Sequence, residues 1–165
     1  MVDGKSRVRV EIDLPGQYLI LCAEQGGLER YPVSTALNGA GEEQGSGCTP
    51  RGRHAIRIKI GEGLPVNAVF RGRRPTGEIY SQALADRFPD RDWILTRILW
   101  LTGREPGRNR GGSRDTLRRF IYIHGCPDSE PMGIPCSHGC IRMRNRDLID
   151  LFGRVKVGTA VLIRD

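Results

Sequence analysis

The sequence predicts a mainly β fold, and three observations support this prediction. Glycine and proline are abundant, at 22 and 10 of 165 residues, which indicates many turns. Between these turns lie short runs in which polar and apolar residues alternate, as they do in half-buried strands. The length suits one hydrophobic core, and no linker or repeat divides it, so we expect residues 1–165 to form a single domain.

The clearest strand is the first one. Residues 7–14 alternate strictly between charged and aliphatic side chains, and Pro15-Gly16 is the turn that ends the strand. Residues 17–23 and 28–35 predict the second and third strands, which a short loop joins. A long loop without any period then covers residues 37–52.

The second half of the chain continues this pattern. Alternation returns at residues 56–60, and the apolar run 93–101, interrupted by Thr96 and Arg97, predicts a buried strand. The remaining predictions are an irregular Arg- and Gly-rich stretch (103–119), a strand (120–123) that leads into His124, a helix (145–152) ended by Gly153, and a last strand (159–163). Asn145 or its neighbour is expected to cap this helix. We therefore expect a mainly β fold with one or two short helices.

The five cysteines are Cys22, Cys48, Cys126, Cys136 and Cys140, and their odd number leaves at least one thiol unpaired. Cys22 lies in a strand pattern and is expected in the core, whereas Cys48 could line a cleft. A disulfide between Cys126 and Cys136 and two free thiols are both open. No run of 18 apolar residues exists, so we expect no transmembrane segment. Residues 1–5 lack the apolar core of a signal peptide, so either the protein stays inside the cell or a leader is missing.

Residues 121–143 carry the chemistry, because three cysteines and two histidines fall there. A free thiol is only a few per cent ionised at neutral pH, and a neighbouring imidazole can take its proton and later protonate a leaving amine. His124 ends a predicted strand and Cys140 follows sixteen residues later, a distance that a returning loop closes. Gly139 permits unusual dihedral angles and close approach of a substrate. The Gly139 and Cys140 amides could then face an oxyanion.

The run Ser137-His138-Gly139-Cys140 and the upstream His124 resemble the signature of L,D-transpeptidases with a YkuD-like catalytic domain. That signature is a histidine, a gap in the mid-teens and then Ser/Thr-His-Gly-Cys before a hydrophobic residue. Residues 31–35 and 48–52 resemble the family's substrate-side strand and Thr-Pro-x-Gly loop, so the resemblance covers roughly residues 8–163. Arg142 stands where the family often has asparagine, and Cys126 and Cys136 are not part of the signature.

The resemblance implies a β-sandwich-like fold and an acyl-enzyme mechanism. Cys140 would be the nucleophile, His124 the base and then the acid, and the Gly125 carbonyl would orient the imidazole ring. The residues implied in substrate binding or in the oxyanion hole are Ser137, His138, Gly139, Arg142 and Tyr122. Arg142 in particular is expected to hold a substrate carboxylate.

The implied substrates are peptidoglycan stem peptides. Cys140 would attack the carbonyl between diaminopimelate and a terminal D-alanine, and an amine, a protein lysine or water would resolve the thioester. Carbapenem-type inhibitors are expected to acylate Cys140. No metal or organic cofactor is needed, and we expect a monomer. The family implies the periplasm or cell envelope, whereas the missing signal peptide leaves the cytoplasm open.

Three alternatives remain at this point. A zinc site could use His124, Cys126, Cys136, His138 and Cys140, although their spacing is not that of common structural sites. A carboxypeptidase would use water as the acceptor. A non-catalytic module could bind wall peptides or an anionic polymer, because the formal charge is +7. The Arg-rich stretch 104–119 lacks interleaved aromatic residues, so we expect no nucleic-acid binding and interpret it as a solvated lid beside the active site.

Overall fold

The structure, a computed structural model, describes residues 8–165. Arg7 of the first predicted strand and the N-terminal residues 1–5 lie outside the described residues. Within them, no α-helix combines the length and the apolar content needed to cross a membrane.

The described chain forms ten strands, two α-helices and a one-turn 3-10 helix at Gly112–Arg114. The strands are β1 (Arg9–Asp13), β2 (Tyr18–Cys22), β3 (Leu28–Ser34), β4 (Gly52–Ile60), β5 (Ala68–Arg71), β6 (Arg74–Ile79), β7 (Ile94–Gly103), β8 (Tyr122–Gly125), β9 (Ile141–Met143) and β10 (Ala160–Arg164). The helices are α1 (Gln82–Arg87) and α2 (Asn145–Arg154).

All ten strands belong to one sheet, in the order β4-β10-β1-β2-β3-β9-β8-β7-β5-β6. Because β4 pairs with both β10 and β7, eight of the strands form a closed ring. The β5–β6 hairpin lies outside this ring and pairs with the start of β7, at Ile94 and Leu95. The pairs β1–β10 and β8–β9 are parallel and the other pairs are antiparallel. The prediction of a mainly β, sandwich-like fold with one or two short helices is therefore confirmed.

The main core lies between the closed strands and α2. Alternate residues of β1, β2, β8 and β9 point into it, and α2 covers it with Leu148, Leu151 and Phe152. Burying one such side chain fully contributes about 1.5–3 kcal/mol. A second cluster, centred on Phe70, Ile98 and Tyr122, lies beside β5 and contacts Cys140.

Helix α2 begins at Asn145, as predicted, and differs from the prediction in its cap and in its C-terminal end. It continues through Gly153, so the prediction that this glycine ends the helix is wrong. The N-cap position is Arg144, which makes no side-chain capping bond. The Asn145 side chain does not cap the helix, because it binds interior groups: its Oδ1 accepts from the Thr96 hydroxyl at 2.6 Å and its Nδ2 donates to the Cys126 carbonyl at 2.9 Å. Tertiary hydrogen bonds thus replace the expected cap.

Four elements were not predicted, namely β5, β6, α1 and β9. Strand β6 is exposed at nearly every position and α1 buries no residue, so neither shows an apolar period. Strand β8 starts two residues later than predicted, because Phe120 has a φ of +57° and belongs to the preceding turn.

Strand β7 is distorted where the sequence has its two polar breaks. Thr96 has a φ of +76°, which is rare for a β-branched residue, and the pairing with β8 shifts between Leu95 and Ile98. The Thr96 hydroxyl, which binds Asn145, also accepts from the Asn67 amide at 3.0 Å. The distortion therefore ties β7 to the first turn of α2.

Candidate active site

The register of β8 and β9 gives these two strands an apolar face and a polar face. Ile123 pairs with Ile141, and both side chains are fully buried in the main core. His124 pairs with Arg142 on the opposite face. Because side chains alternate along a strand, residues 122, 124, 140 and 142 are directed to this polar face.

Cys140 comes directly before β9, and its sulfur contacts the start of β8. The sulfur accepts from the Tyr122 N–H, and the thiol donates to the Phe120 carbonyl, each at 3.3 Å. The residue is partly exposed, yet protein atoms surround the sulfur closely enough for burial to raise the pKa of the thiol to about 12. The Asp92 carboxylate acts in the same direction, and the Tyr122 hydrogen bond partly opposes it. The thiol is therefore protonated at neutral pH.

His124 is almost completely buried, and its tautomer follows from its hydrogen bond. Nδ1 lies 2.7 Å from the Gly125 carbonyl oxygen, which can only accept, so Nδ1 carries the proton. Burial lowers the pKa of His124, although the Gly125 contact and Asp92 partly oppose this. The ring is therefore neutral at neutral pH, and its Nε2 has a free lone pair that can accept a proton.

The thiol and the imidazole are both neutral and belong to neighbouring strands, with Cys140 beside the start of β8 and His124 two residues further along it. The hydrogen bonds of residues 8–165 include none between the Cys140 sulfur and the His124 ring, because the thiol is directed to the Phe120 carbonyl. Catalytic hydrogen bonds often form only when the substrate binds. Proton transfer to Nε2 thus requires the thiol to turn away from Phe120, and the roles of Cys140 and His124 stay predictions.

Gly125 is required by its surroundings. A Cβ atom at this position would lie 2.3 Å from the Asn145 Oδ1 and 2.6 Å from the Leu95 carbonyl oxygen. Any side chain would therefore push β8 away from the distorted part of β7 and move the carbonyl that orients His124.

Ser137 shapes the turn that presents Cys140. Its hydroxyl donates to the Cys140 carbonyl at 2.6 Å and accepts from the Gly139 N–H at 3.2 Å. The side chain is buried and engaged inside the turn. Since the Gly139 amide is already bonded, the Cys140 amide, which makes no hydrogen bond within residues 8–165, is the better placed oxyanion donor of the two.

Gly139 has a φ of +132°, a conformation that side chains disfavour. An added Cβ would also approach the Cys48 carbonyl oxygen to 3.2 Å and the Ile121 Cδ1 to 3.4 Å. The Gly139 carbonyl accepts from the Thr49 hydroxyl at 2.9 Å, and the same hydroxyl accepts from the Ala36 N–H at 3.0 Å. Residues 48–49 thus hold the turn against the loop after β3.

Arg142 is nearly buried and already has two carboxylate partners. Its Nη2 lies 3.2 Å from the Asp92 Oδ1, and its Nη1 lies 3.8 Å from the Glu130 Oε2. The other Asp92 oxygen is 3.7 Å from Nδ1 of the exposed His138 ring. These residues line a cavity of about 230 Å³ together with Cys126. A substrate carboxylate, the predicted ligand of Arg142, would have to displace Asp92 or share the guanidinium with it.

Tyr122 is held from the other side of the site. Its hydroxyl accepts from the Arg73 Nη1 at 3.2 Å, and burial raises the pKa of this tyrosine. The Arg73 guanidinium lies 4.6 Å from the Phe120 ring centroid and 5.2 Å from that of Trp100. The β5–β6 hairpin therefore contacts the turn whose Phe120 carbonyl accepts the hydrogen bond of the Cys140 thiol.

The remaining cysteines do not extend the site. All five thiols are free, so the alternative of a Cys126–Cys136 disulfide is not realised in this structure. Cys22 is buried, as expected, and burial raises the pKa of Cys126 to about 12. Among residues 8–165, no three His, Cys, Asp or Glu side chains gather in a metal-binding arrangement, so the five residues of the zinc alternative do not form such a cluster.

The sequence predicted only part of the site. The register of β8 and β9 places the Ser-His-Gly-Cys run beside the strand that holds His124, as expected. Asp92, Glu130 and Arg73, which contact Arg142 and Tyr122, were not predicted. Asp92 and Arg73 lie in the segment whose elements were not predicted, and a lone acidic or basic residue there carries no signal. Thr49 had one, since it belongs to the Thr-Pro-x-Gly resemblance.

Comparison with known proteins identifies one family. Its sequence profile, described as the YkuD L,D-transpeptidase catalytic domain, matches residues 7–163. YqjB of Bacillus subtilis, which is named as an L,D-transpeptidase, is 43% identical over 53 residues, covering 32% of this chain and 30% of YqjB.

Solved structures agree with the fold. The L,D-transpeptidase of Xylanimonas cellulosilytica (residues 123–326) has a TM-score of 0.55 at 21% identity, covering 98% of this chain and 62% of its own. L,D-transpeptidase 3 of Mycobacterium tuberculosis, in complex with a faropenem-derived adduct, has a TM-score of 0.59 at 16% identity, covering 96% and 60%. The chain thus spans less than two thirds of these relatives' length. With the profile matched over nearly all of its residues, the chain belongs to the YkuD family of L,D-transpeptidase catalytic domains.

Proposed function

We propose that this enzyme is a cysteine-dependent L,D-transpeptidase that acts on peptidoglycan stem peptides. The observation that carries the proposal is the register of β8 and β9, which brings Cys140 beside the strand that holds His124. The family supplies the reaction type, and the neutral imidazole with a free Nε2 supplies a base for the thiol.

In the first half-reaction, Nε2 of His124 takes the thiol proton and the sulfur attacks the carbonyl before D-alanine. The Cys140 amide donates to the developing oxyanion, a contribution of about 3–4 kcal/mol for one well-placed donor. The imidazolium then protonates the departing amine, the carbon–nitrogen bond breaks, and a thioester remains on Cys140.

In the second half-reaction, an amine of another stem attacks the thioester. His124 takes the proton of the attacking amine, the tetrahedral intermediate expels the Cys140 sulfur, and the imidazolium returns this proton to the thiolate. The residues at the mouth of the site are His138 and Arg142, which we assign to substrate binding. This activity belongs to the periplasm or cell envelope, and that location is part of the proposal.

The test is to incubate the protein with a purified tetrapeptide stem and to measure D-alanine release and the mass of the products. Cross-linked dimers support transpeptidation, whereas trimmed tripeptides alone indicate a carboxypeptidase. A carbapenem should add its mass to Cys140.

Cys140→Ala should reduce D-alanine release by roughly a thousandfold or more, because no covalent intermediate can form. Cys126→Ala is the matched control, since it removes a neighbouring buried thiol, and it should retain activity within a few-fold. Circular dichroism checks that both variants are folded. Equal D-alanine release by wild type and Cys140→Ala would end the proposal.

A further inference from the structure

Three guanidinium groups surround a cavity on the exposed side of β4 and β7. Arg57, Arg104 and Arg110 line this space of about 530 Å³ together with Thr102 and Gly103. All three arginines are exposed, and no carboxylate lines the cavity. Within residues 8–165, none of the three forms an ion pair. An uncompensated positive charge of this kind attracts an anionic ligand.

Other arginines of the same region are neutralised, which makes the contrast informative. Arg51 pairs with Glu42, Arg108 with Glu105, and Arg114 with Glu43. The three arginines that line this cavity thus form no ion pair, whereas Arg51, Arg108 and Arg114 beside them do.

Two further cavities continue towards the candidate active site, and in the nearer one Arg110 keeps its free charge while Arg114 is paired with Glu43. Arg110 also lines a second cavity, of about 550 Å³, at residues 110–114 and Glu43. Gln44, the next residue, lines a third cavity of about 340 Å³ with Arg118, Arg119 and His138. His138 stands two residues before Cys140. We call this surface, from Arg57 through Arg110 and Arg118 to His138, the arginine track.

The middle of the track is preformed. The Gln44 amide donates to the Ser113 carbonyl at 2.7 Å, and the Asn109 side chain donates to the Arg51 and Arg53 carbonyls at 3.0 and 3.1 Å. Arg119 donates to the Cys48 carbonyl at 2.7 Å. These bonds fix the Arg-rich stretch to β4 and to the loop before it, so little order has to be gained when a ligand binds.

We propose that the arginine track binds the carboxylate-bearing wall polymer whose stem peptide enters the Cys140 site, an inference that rests on the proposed function. Guanidinium groups bind carboxylates in a bidentate manner. Stem peptides carry such carboxylates at each repeat. A nucleic acid is less suited, because Phe120 and His138 are the aromatic rings that line the three cavities, both at one end of the track, and single strands need successive stacking platforms.

The test compares two triple variants that remove the same charge. Arg57→Gln/Arg104→Gln/Arg110→Gln changes the track, and Arg71→Gln/Arg74→Gln/Arg87→Gln changes three exposed arginines elsewhere. Binding to purified insoluble peptidoglycan is measured by co-sedimentation between about 50 and 200 mM salt. The track variant should bind roughly tenfold more weakly and lose most of its salt dependence. Its turnover of a soluble single stem should stay within about twofold of wild type, since none of the three residues lies at Cys140.

Equal binding by the two triple variants would overturn the inference, as would wild-type protein that binds a fluorescent DNA duplex but no peptidoglycan. Binding does not require turnover. If the wild type binds the polymer through the track but releases no D-alanine, the proposed reaction fails and the track stands.

Discussion

The seven residues of β8 and β9 form two faces that are stabilised in different ways. On one face, Ile123, Ile141 and Met143 are completely buried among aliphatic side chains. On the other, His124 and Arg142 are almost as deeply buried but are polar. On the apolar face, the alternation of side chains along the two strands is enough to direct these residues into the core. The polar face needs a carbonyl for His124 and carboxylates for Arg142, and the carboxylates come from other segments of the chain.

This difference shows where order in the site originates. Within the described residues, every side-chain nitrogen or oxygen atom that is fully shielded from solvent has a hydrogen-bond partner. Leaving one such group unsatisfied costs about 1–3 kcal/mol, so each polar side chain fixes its partner as well as itself. Changes on the apolar face should therefore act on stability, and changes on the polar face should act on reactivity.

The largest expected effect is on the polar face. His124→Asn should slow acylation of Cys140 by a carbapenem roughly a thousandfold, because the base is lost. Mass spectrometry of the adduct over time measures the rate. His138→Asn, which changes an exposed ring, should cost less than about tenfold. Similar losses in the two variants would contradict the assignment of His124 as the base.

On the apolar face, Ile123→Ala should lower the free energy of unfolding by about 3 kcal/mol, because it leaves a cavity in the main core. Urea denaturation measures this value, and Val157→Ala, an exposed position, should change it by less than about 0.5 kcal/mol. The rate of Cys140 acylation by a carbapenem, per folded molecule, should change little. A large loss of this rate without a loss of stability would show that the apolar face also controls reactivity.

Lowering the pH should reduce the stability contributed by buried imidazoles and leave that of buried isoleucines unchanged, because only the imidazoles titrate. Burial lowers the pKa of His54 from 6.5 to about 4, so the unfolded chain takes up a proton in this range while the folded protein does not. This contribution to stability is present above pH 6.5 and is lost as the pH falls from 6.5 to about 4, at a total cost of roughly 3 kcal/mol.

His54→Gln should flatten the pH dependence of the free energy of unfolding between these limits, although the variant is less stable at pH 7 because two buried hydrogen bonds change. His124 should add to the same slope, since burial lowers its pKa as well. An unchanged slope in His54→Gln would show that its proton uptake is the same in the folded and unfolded states.

The smallest effect concerns the charge around the thiol. Asp92 raises the pKa of Cys140, so Asp92→Asn should lower it and increase alkylation by iodoacetamide roughly threefold to tenfold at a fixed pH. Asp90→Asn is the matched control, because Asp90 lines the same cavity and forms no ion pair within residues 8–165. Identical pH profiles of alkylation for the two variants would show that the Asp92 charge does not reach the sulfur.

The sequence predicts the apolar face well and the polar face only in part. Alternation in β1 and the buried run in β7 follow from local pattern, and even the breaks at Thr96 and Arg97 correspond to a real distortion. Cys140 and His124 follow from a compact motif. The partners of Arg142 do not, because Asp92 lies 50 residues away on a loop after a helix with no buried residue. Long-range ion pairs leave no trace in local periodicity.

The hydrogen bond from the Cys140 thiol to the Phe120 carbonyl has one further consequence. Peroxides oxidise thiolates and leave thiols largely untouched, so a sulfur that keeps its proton until the base is engaged is a poor target for conversion to sulfenic acid. In the proposed mechanism, the nucleophile is thereby stored in a chemically inert form, and it becomes reactive when a bound substrate turns the thiol from the Phe120 carbonyl to His124.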